Sequence, residues 1–169
     1  MASDPIEAFL ALSAALTGFG RVDLLGTGMS RAYYAEVVGI VGKSIAGELV
    51  STARRIFTRG RRDPKAREKA IRQEILADPK LGPVARNIIQ MWYVGTWYQL
   101  PTSWRQAYGG NPKDVDHVVS ADAYTQGLVW VAAGVHPAGA KQPGYGTWAL
   151  PPRGATEDAG HRRGVVRRS

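Results

Sequence analysis

The sequence predicts an all-α fold, a small bundle of about five or six helices with an extended Pro/Gly/aromatic C-terminal arm. Three observations carry this expectation. Helix-start chemistry recurs along the chain, with Asp4 and Pro5, Asp63 and Pro64, and Ser120 each standing just before an apolar run. Apolar residues repeat at helical spacing, most clearly in Ile45, Leu49, Val50, Ala53, Ile56 and Phe57. Beyond Gly134 that pattern stops. Pro137, Pro143, Pro151 and Pro152 interleave with Gly139, Gly144 and Gly146, so the chain can neither continue a helix nor pair along a central strand. The expected organisation is a helical domain over 1–134, an extended partner-binding arm over 135–152 and a basic tail over 153–169 without fixed structure.

The elements follow in order. Ser3 or Asp4 caps a first helix, Pro5 takes its first position, Ile6, Phe9, Leu10 and Leu16 share most of one face, and Gly18 ends it. Its apolar stretch is not read as an export leader, because Asp4 and Glu7 stand where such a leader carries positive charge. Arg54, Arg55 and Phe57 imitate part of a twin-arginine signal, but they lie mid-chain with no apolar run behind them. From Gly20 to Gly28 a linker is expected, anchored by Leu24 and Leu25. A second helix carries Tyr33, Val37, Val38 and Val41, weakened by Gly39 and Gly42, and a third runs from Ile45 towards Gly60. Asp63 and Pro64 start a fourth with Ile71, Ile75 and Leu76 inward, interrupted at Asp78 and Pro79. The stripe Leu81, Val84, Ile88, Ile89 and Trp92 makes a fifth, closed by Gly95. Residues 101–119 read as a long loop, and Ser120 then opens a helix of about three turns through Ala121, Tyr124, Leu128, Val131 and Ala132.

Composition narrows the function classes. At 169 residues and 44% hydrophobic content, one domain with a modest core is expected. Cysteine is absent, which excludes disulfides, thiolate metal sites and cysteine nucleophiles. No stretch approaches the roughly 18 to 20 apolar residues of a membrane span. No G-x-S-x-G elbow is present, and the GTGMSRA stretch at 26–32 is an incomplete glycine fingerprint with no strand before it. Asp114, Asp116 and His117 invite a metal reading, but no second cluster completes a coordination shell, so hydrogen bonding in the turn and at the helix start before Ser120 is expected of Asp116 or His117. A free-standing catalyst, a cofactor in this chain and a resident metal are therefore not expected.

Charge is concentrated. The chain is +8 overall, yet residues 54–72 alone hold nine basic side chains against Asp63 and Glu68. The tail from 153 onward adds five arginines against Glu157 and Asp158. Such a patch attracts anionic partners. No groove-reading helix signature or stacking ladder accompanies it, so nucleic acid is not the expected partner.

Aromatic residues point to an interface. Trp92, Tyr93, Trp97 and Tyr98 crowd one helix end, too many for its inward face, and Trp92 is expected to cap the core. Together with Tyr124, Trp130, His136, Tyr145 and Trp148 they form the candidate partner interface, since aromatic rings dominate binding hot spots. Tyr145 and Trp148 are the expected anchors of the arm.

Three blocks carry a resemblance: FLALSAALTGFG near the start, ARNIIQMWYVGTWY in the middle, and YTQGLVWVAAGVHPAGAKQPGYGTW at the end. Together, over residues 6–152, they resemble the small (gamma) subunit of bacterial FAD-dependent sorbitol and sugar dehydrogenase complexes. The resemblance implies a non-catalytic subunit needed for folding, stability or maturation of a large FAD-binding subunit of glucose-methanol-choline (GMC) type. It further implies FAD in that partner, with an iron–sulfur cluster, a haem or a cytochrome c acceptor elsewhere in the complex. Small subunits of this kind commonly carry a twin-arginine export signal. None is read here, which leaves two alternatives, a sequence that lacks its export signal through truncation or a branch that works in the cytoplasm; the capped helix at the start favours the second over the periplasmic or inner-membrane setting of exported relatives. Many relatives also have a cysteine within the stretch that here reads GVHPAGAKQPG, so a disulfide there is excluded. The alternative, from another class, is a stand-alone helical adaptor that binds an anionic partner through its basic patch.

Overall fold

The computed structural model describes residues 4–137. Tyr145, Trp148, the arm beyond 137 and the basic tail lie outside the described residues. The chain divides into Met1–Val135 and His136–Ser169, and the architecture below is that of the first unit.

It is all-α. In order come α1 (Pro5–Thr17), α2 (Arg21–Gly26), α3 (Ser30–Arg59), α4 (Pro64–Ile71) running into a π-helical turn (Arg72–Leu76), and α5 (Leu81–Val94). A two-residue strand β1 (Thr96–Trp97), α6 (Thr102–Tyr108), strand β2 (His117–Val118), α7 (Ala121–Thr125) and α8 (Leu128–Ala132) complete it.

The local chemistry explains the boundaries. Asp4 accepts from Ile6 N at 2.9 Å, and Gly18 closes α1 in the left-handed region with its N–H on Ala14 O. Asp63 accepts from Ala66 N at 2.9 Å, and Asp78 accepts from Lys80 N and Leu81 N at 2.8 and 2.7 Å to launch α5. The expected second and third helices are both present within α3 and meet at a kink at Gly42, whose φ of 81° and ψ of 161° are non-helical. A single glycine redirects the helix without a loop.

Three expectations are corrected. The 20–28 linker contains α2, in which Gly20 N donates to the Asp23 carboxylate at 3.0 Å; Leu24 is fully buried, but Leu25 is exposed and anchors nothing. The 101–119 loop contains α6, because Trp104 and Tyr108 at i, i+4 stack at 5.4 Å and Trp104 Nε1 donates to Lys80 O at 2.8 Å. The helix after Ser120 starts as expected, with Ala123 N donating to Ser120 Oγ at 3.0 Å, but splits at Gly127 into α7 and α8. Its inward residues are Ala123 and Leu128, while Ala121, Tyr124, Val131 and Ala132 face outward.

The core lies where α1, α3 and α5 meet. Phe9, Leu10 and Leu12 of α1, Tyr33, Leu49 and Ile56 of α3, and Ile88, Met91 and Trp92 of α5 are all at most 1% exposed. Each such aliphatic or aromatic side chain contributes about 1.5–3 kcal/mol by leaving water. Tyr33 and Trp92 meet edge to face with centroids 4.9 Å apart, and burial holds the Tyr33 hydroxyl well above its ordinary pKa.

Candidate functional site

The candidate site grows from the C-terminal end of α5. Gly95 ends that helix at φ 70°, and a Cβ there would stand 2.5 Å from the Ala123 carbonyl, so the glycine lets α7 sit directly on the helix end. Gly127 plays the matching part for α8, where a Cβ would lie 2.7 Å from Tyr93 O. Past Gly95 the chain pairs β1 with β2 antiparallel, Thr96 opposite Val118 and Trp97 opposite His117. The pleat then sorts the side chains: Trp97 points into the core, while Tyr98 and Val118 stand outward.

The inner side of this hairpin is tied down by carboxylates. Asp114, only 2% exposed, accepts from Trp97 Nε1 at 2.9 Å and from Leu100 N at 3.0 Å. Asp116 accepts from Gln99 N at 2.7 Å. His117 places Nδ1 2.7 Å from Val115 O and Nε2 3.0 Å from the Glu36 carboxylate on α3. Of the turn and helix-start hydrogen bonding expected of Asp116 or His117, the turn part stands, with His117 Nδ1 at Val115 O, and the helix-start part is corrected: Asp116 bonds Gln99 N across the hairpin and His117 Nε2 reaches Glu36, because β-pairing carries both alongside residues 97–99. Among the described residues no three His, Asp or Glu side chains converge as a metal set.

The nine candidate interface residues separate by burial. Trp92 and Trp97 are at 1% and 0% exposure and belong to the core, so neither ring offers a docking surface. Tyr93 is half-buried, its hydroxyl donating to Thr17 O at 2.9 Å and its ring edge-on to Phe19. Tyr98 is 41% exposed, yet its backbone is clamped at both ends by Asn87, each bond 2.8 Å. Tyr124 is exposed and edge-on to the half-buried Trp130, whose Nε1 donates to Tyr124 O at 2.8 Å. His136 is exposed, and Tyr145 and Trp148 lie outside the described residues.

No family model, curated protein or solved structure matches the chain.

Of the nine exposed large apolar side chains among the described residues, seven lie between Val94 and Val135. Scattered single exposures need no explanation, but these seven fall within one stretch of sequence, from the end of α5 through the hairpin, α7 and α8. Val118 had no stripe or aromatic signal to mark it as surface, and its exposure follows from the hairpin pairing; Val131, expected in an apolar helical series, is exposed on α8 after the break at Gly127.

The basic stretch is partly neutralised. Glu74 receives Arg59 and, at 3.3 Å, Arg55; these hydrogen bonds, Arg59's foremost, hold its carboxyl below the usual range. Arg72 pairs with Glu68 at 2.6 Å, and Arg67 lies over the Phe57 ring at 5.6 Å. Arg61, Arg62, Lys65 and Lys69 are exposed and form no ion pair among the described residues. No helix of the described residues is long and apolar enough to cross a membrane.

Proposed function

We propose that the chain is the non-catalytic small subunit of a flavin-dependent sugar or polyol dehydrogenase complex. It assists folding, stability or maturation of a large FAD-binding subunit of GMC type, which holds the cofactor and performs the oxidation. The observation that supports the docking role is the exposure of Tyr98 and Val118 at a braced hairpin and of Tyr124 on α7. Aromatic rings on a backbone that is already fixed lose little entropy on binding. The flavoprotein as partner rests on the resemblance of the three sequence blocks, as does a cytochrome c or an iron–sulfur or haem centre further along the electron path.

Co-expression with an adjacent GMC-type large-subunit candidate tests this, with size-exclusion chromatography read at protein and flavin wavelengths. Co-elution with a yellow protein that loses flavin or solubility without this chain supports the reading. Elution of the chain alone overturns it. The adaptor reading keeps one specific support, the exposed cations Arg61, Arg62, Lys65 and Lys69, and would gain from the second result.

A further inference from the structure

A second surface is built from different elements. The last turns of α1 and the length of α4 flank a groove of about 610 Å³, within the ordinary range for binding pockets. Ala15 and Leu16 of α1, Pro64 and Ile71 of α4, and Leu76 of the π-turn give it an apolar lining. Its charged lining carries a net positive charge of one: Arg67, Arg72 and Glu68 line it, and Arg72 and Glu68 pair with each other at 2.6 Å, which leaves Arg67 as the surplus cation. Lys65 and Lys69, on the same helix, are exposed without an ion pair among the described residues, and Arg61 and Arg62 precede that helix.

The chain's own remaining sequence does not suit this groove. Residues 138–156 contain no acidic side chain, and Glu157 and Asp158 sit in a tail with five arginines. A second copy, also +8, is repelled in the same way. A phosphate backbone would satisfy the cations but has no apolar face for the floor. We propose that the groove takes an acidic amphipathic helix of another protein. Its bulky apolar side chains enter between α1 and α4, and its carboxylates meet Arg67, Arg72, Lys65 and Lys69. A helix lying in a groove between two helices is an established mode of peptide capture, and the cations set its charge and direction. This inference does not depend on a flavoprotein partner.

The test uses the full chain and fluorescein-labelled helical peptides of about 18 residues, roughly five turns. One carries leucines along one face and glutamates on the other. A second replaces the glutamates with lysines, and a third replaces the leucines with glutamines. Binding is followed by anisotropy at low salt. The Glu/Leu peptide is expected to bind, with affinity falling as salt rises, and the Lys/Leu peptide is not. Lys69→Glu/Arg72→Glu, which reverses exposed charges, and Ala15→Gln, which fills the groove from an exposed position, should each weaken binding at least ten-fold with unchanged circular dichroism. Failure of the Glu/Leu peptide to bind, undiminished binding by both variants, or equal binding of the Glu/Gln peptide would overturn the proposal, the last by reducing the surface to charge alone.

Discussion

The indole Nε1 of Trp97 donates to the Asp114 carboxylate over 2.9 Å, inside the domain and across 17 residues of chain. The same carboxylate accepts from Leu100 N at 3.0 Å, so one buried group satisfies two donors that have left water. Asp114→Ala strands both donors. At about 1–3 kcal/mol for each unsatisfied buried group, a loss of about 3 kcal/mol in urea unfolding is expected. A loss below about 1 kcal/mol would show that the hairpin rearranges to recover them.

Tyr98 and Tyr124 should separate stability from binding. Both rings are exposed, and the Tyr98 backbone is held by Asn87 independently of its ring. Tyr98→Ala and Tyr124→Ala are expected to shift unfolding by no more than about 0.5–1 kcal/mol, while weakening large-subunit association by about 2 kcal/mol or roughly 30-fold. Association measured by titration calorimetry at wild-type strength would remove these rings from the interface.

In the arm, Tyr145→Ala with Trp148→Ala is expected to abolish co-purification with the large subunit and to leave the helical circular dichroism intact. Undiminished complex formation would place the anchor elsewhere.

Gly95→Ala meets two obstacles at once, a φ of 70° and a backbone carbonyl 2.5 Å from the new Cβ. The left-handed conformation alone costs an alanine about 1–2 kcal/mol, and displacing α7 adds to it. A fall of several degrees or more in Tm is expected; an unchanged Tm would mean that α7 is not held against the end of α5.

Glu74 makes a pH-dependent contribution. Its carboxyl lies below the usual glutamate range in the folded chain, chiefly through the hydrogen bond from Arg59. A depressed folded value means that the stabilisation is fully present above the unfolded carboxyl pKa and is lost as pH falls through the folded one. The stability difference between wild type and Glu74→Gln should therefore be small, screened by salt, and vanish under acid. A difference that persists at the lowest pH would assign it to packing instead.

Much of the fold was legible because helix ends are local. Asp4 with Pro5, Asp63 with Pro64, Ser120, Gly18 and Gly95 each act within four residues, and each does in the structure what its residue type implies. The two missed helices had signals of the same local kind, Asp23 three residues after Gly20 and Tyr108 four after Trp104. The candidate site was less legible. Trp97 and Tyr98 are adjacent aromatic residues, and no local rule says which ring turns inward. That choice is made by the pleat of a hairpin whose paired residues Thr96 and Val118 stand 22 positions apart in the chain.

By itself, then, the sequence determined an all-α chain, its cap residues, a cysteine-free chemistry and a local concentration of positive charge, because each depends on composition or on contacts within one turn. The tertiary structure decided which aromatics are core and which are surface. It also decided that Asp114 and Asp116 brace a hairpin, and that α1 and α4 leave a cationic groove between them. These depend on pairings between residues far apart in the chain, where burial is set by the neighbour across the fold rather than by the neighbour in sequence.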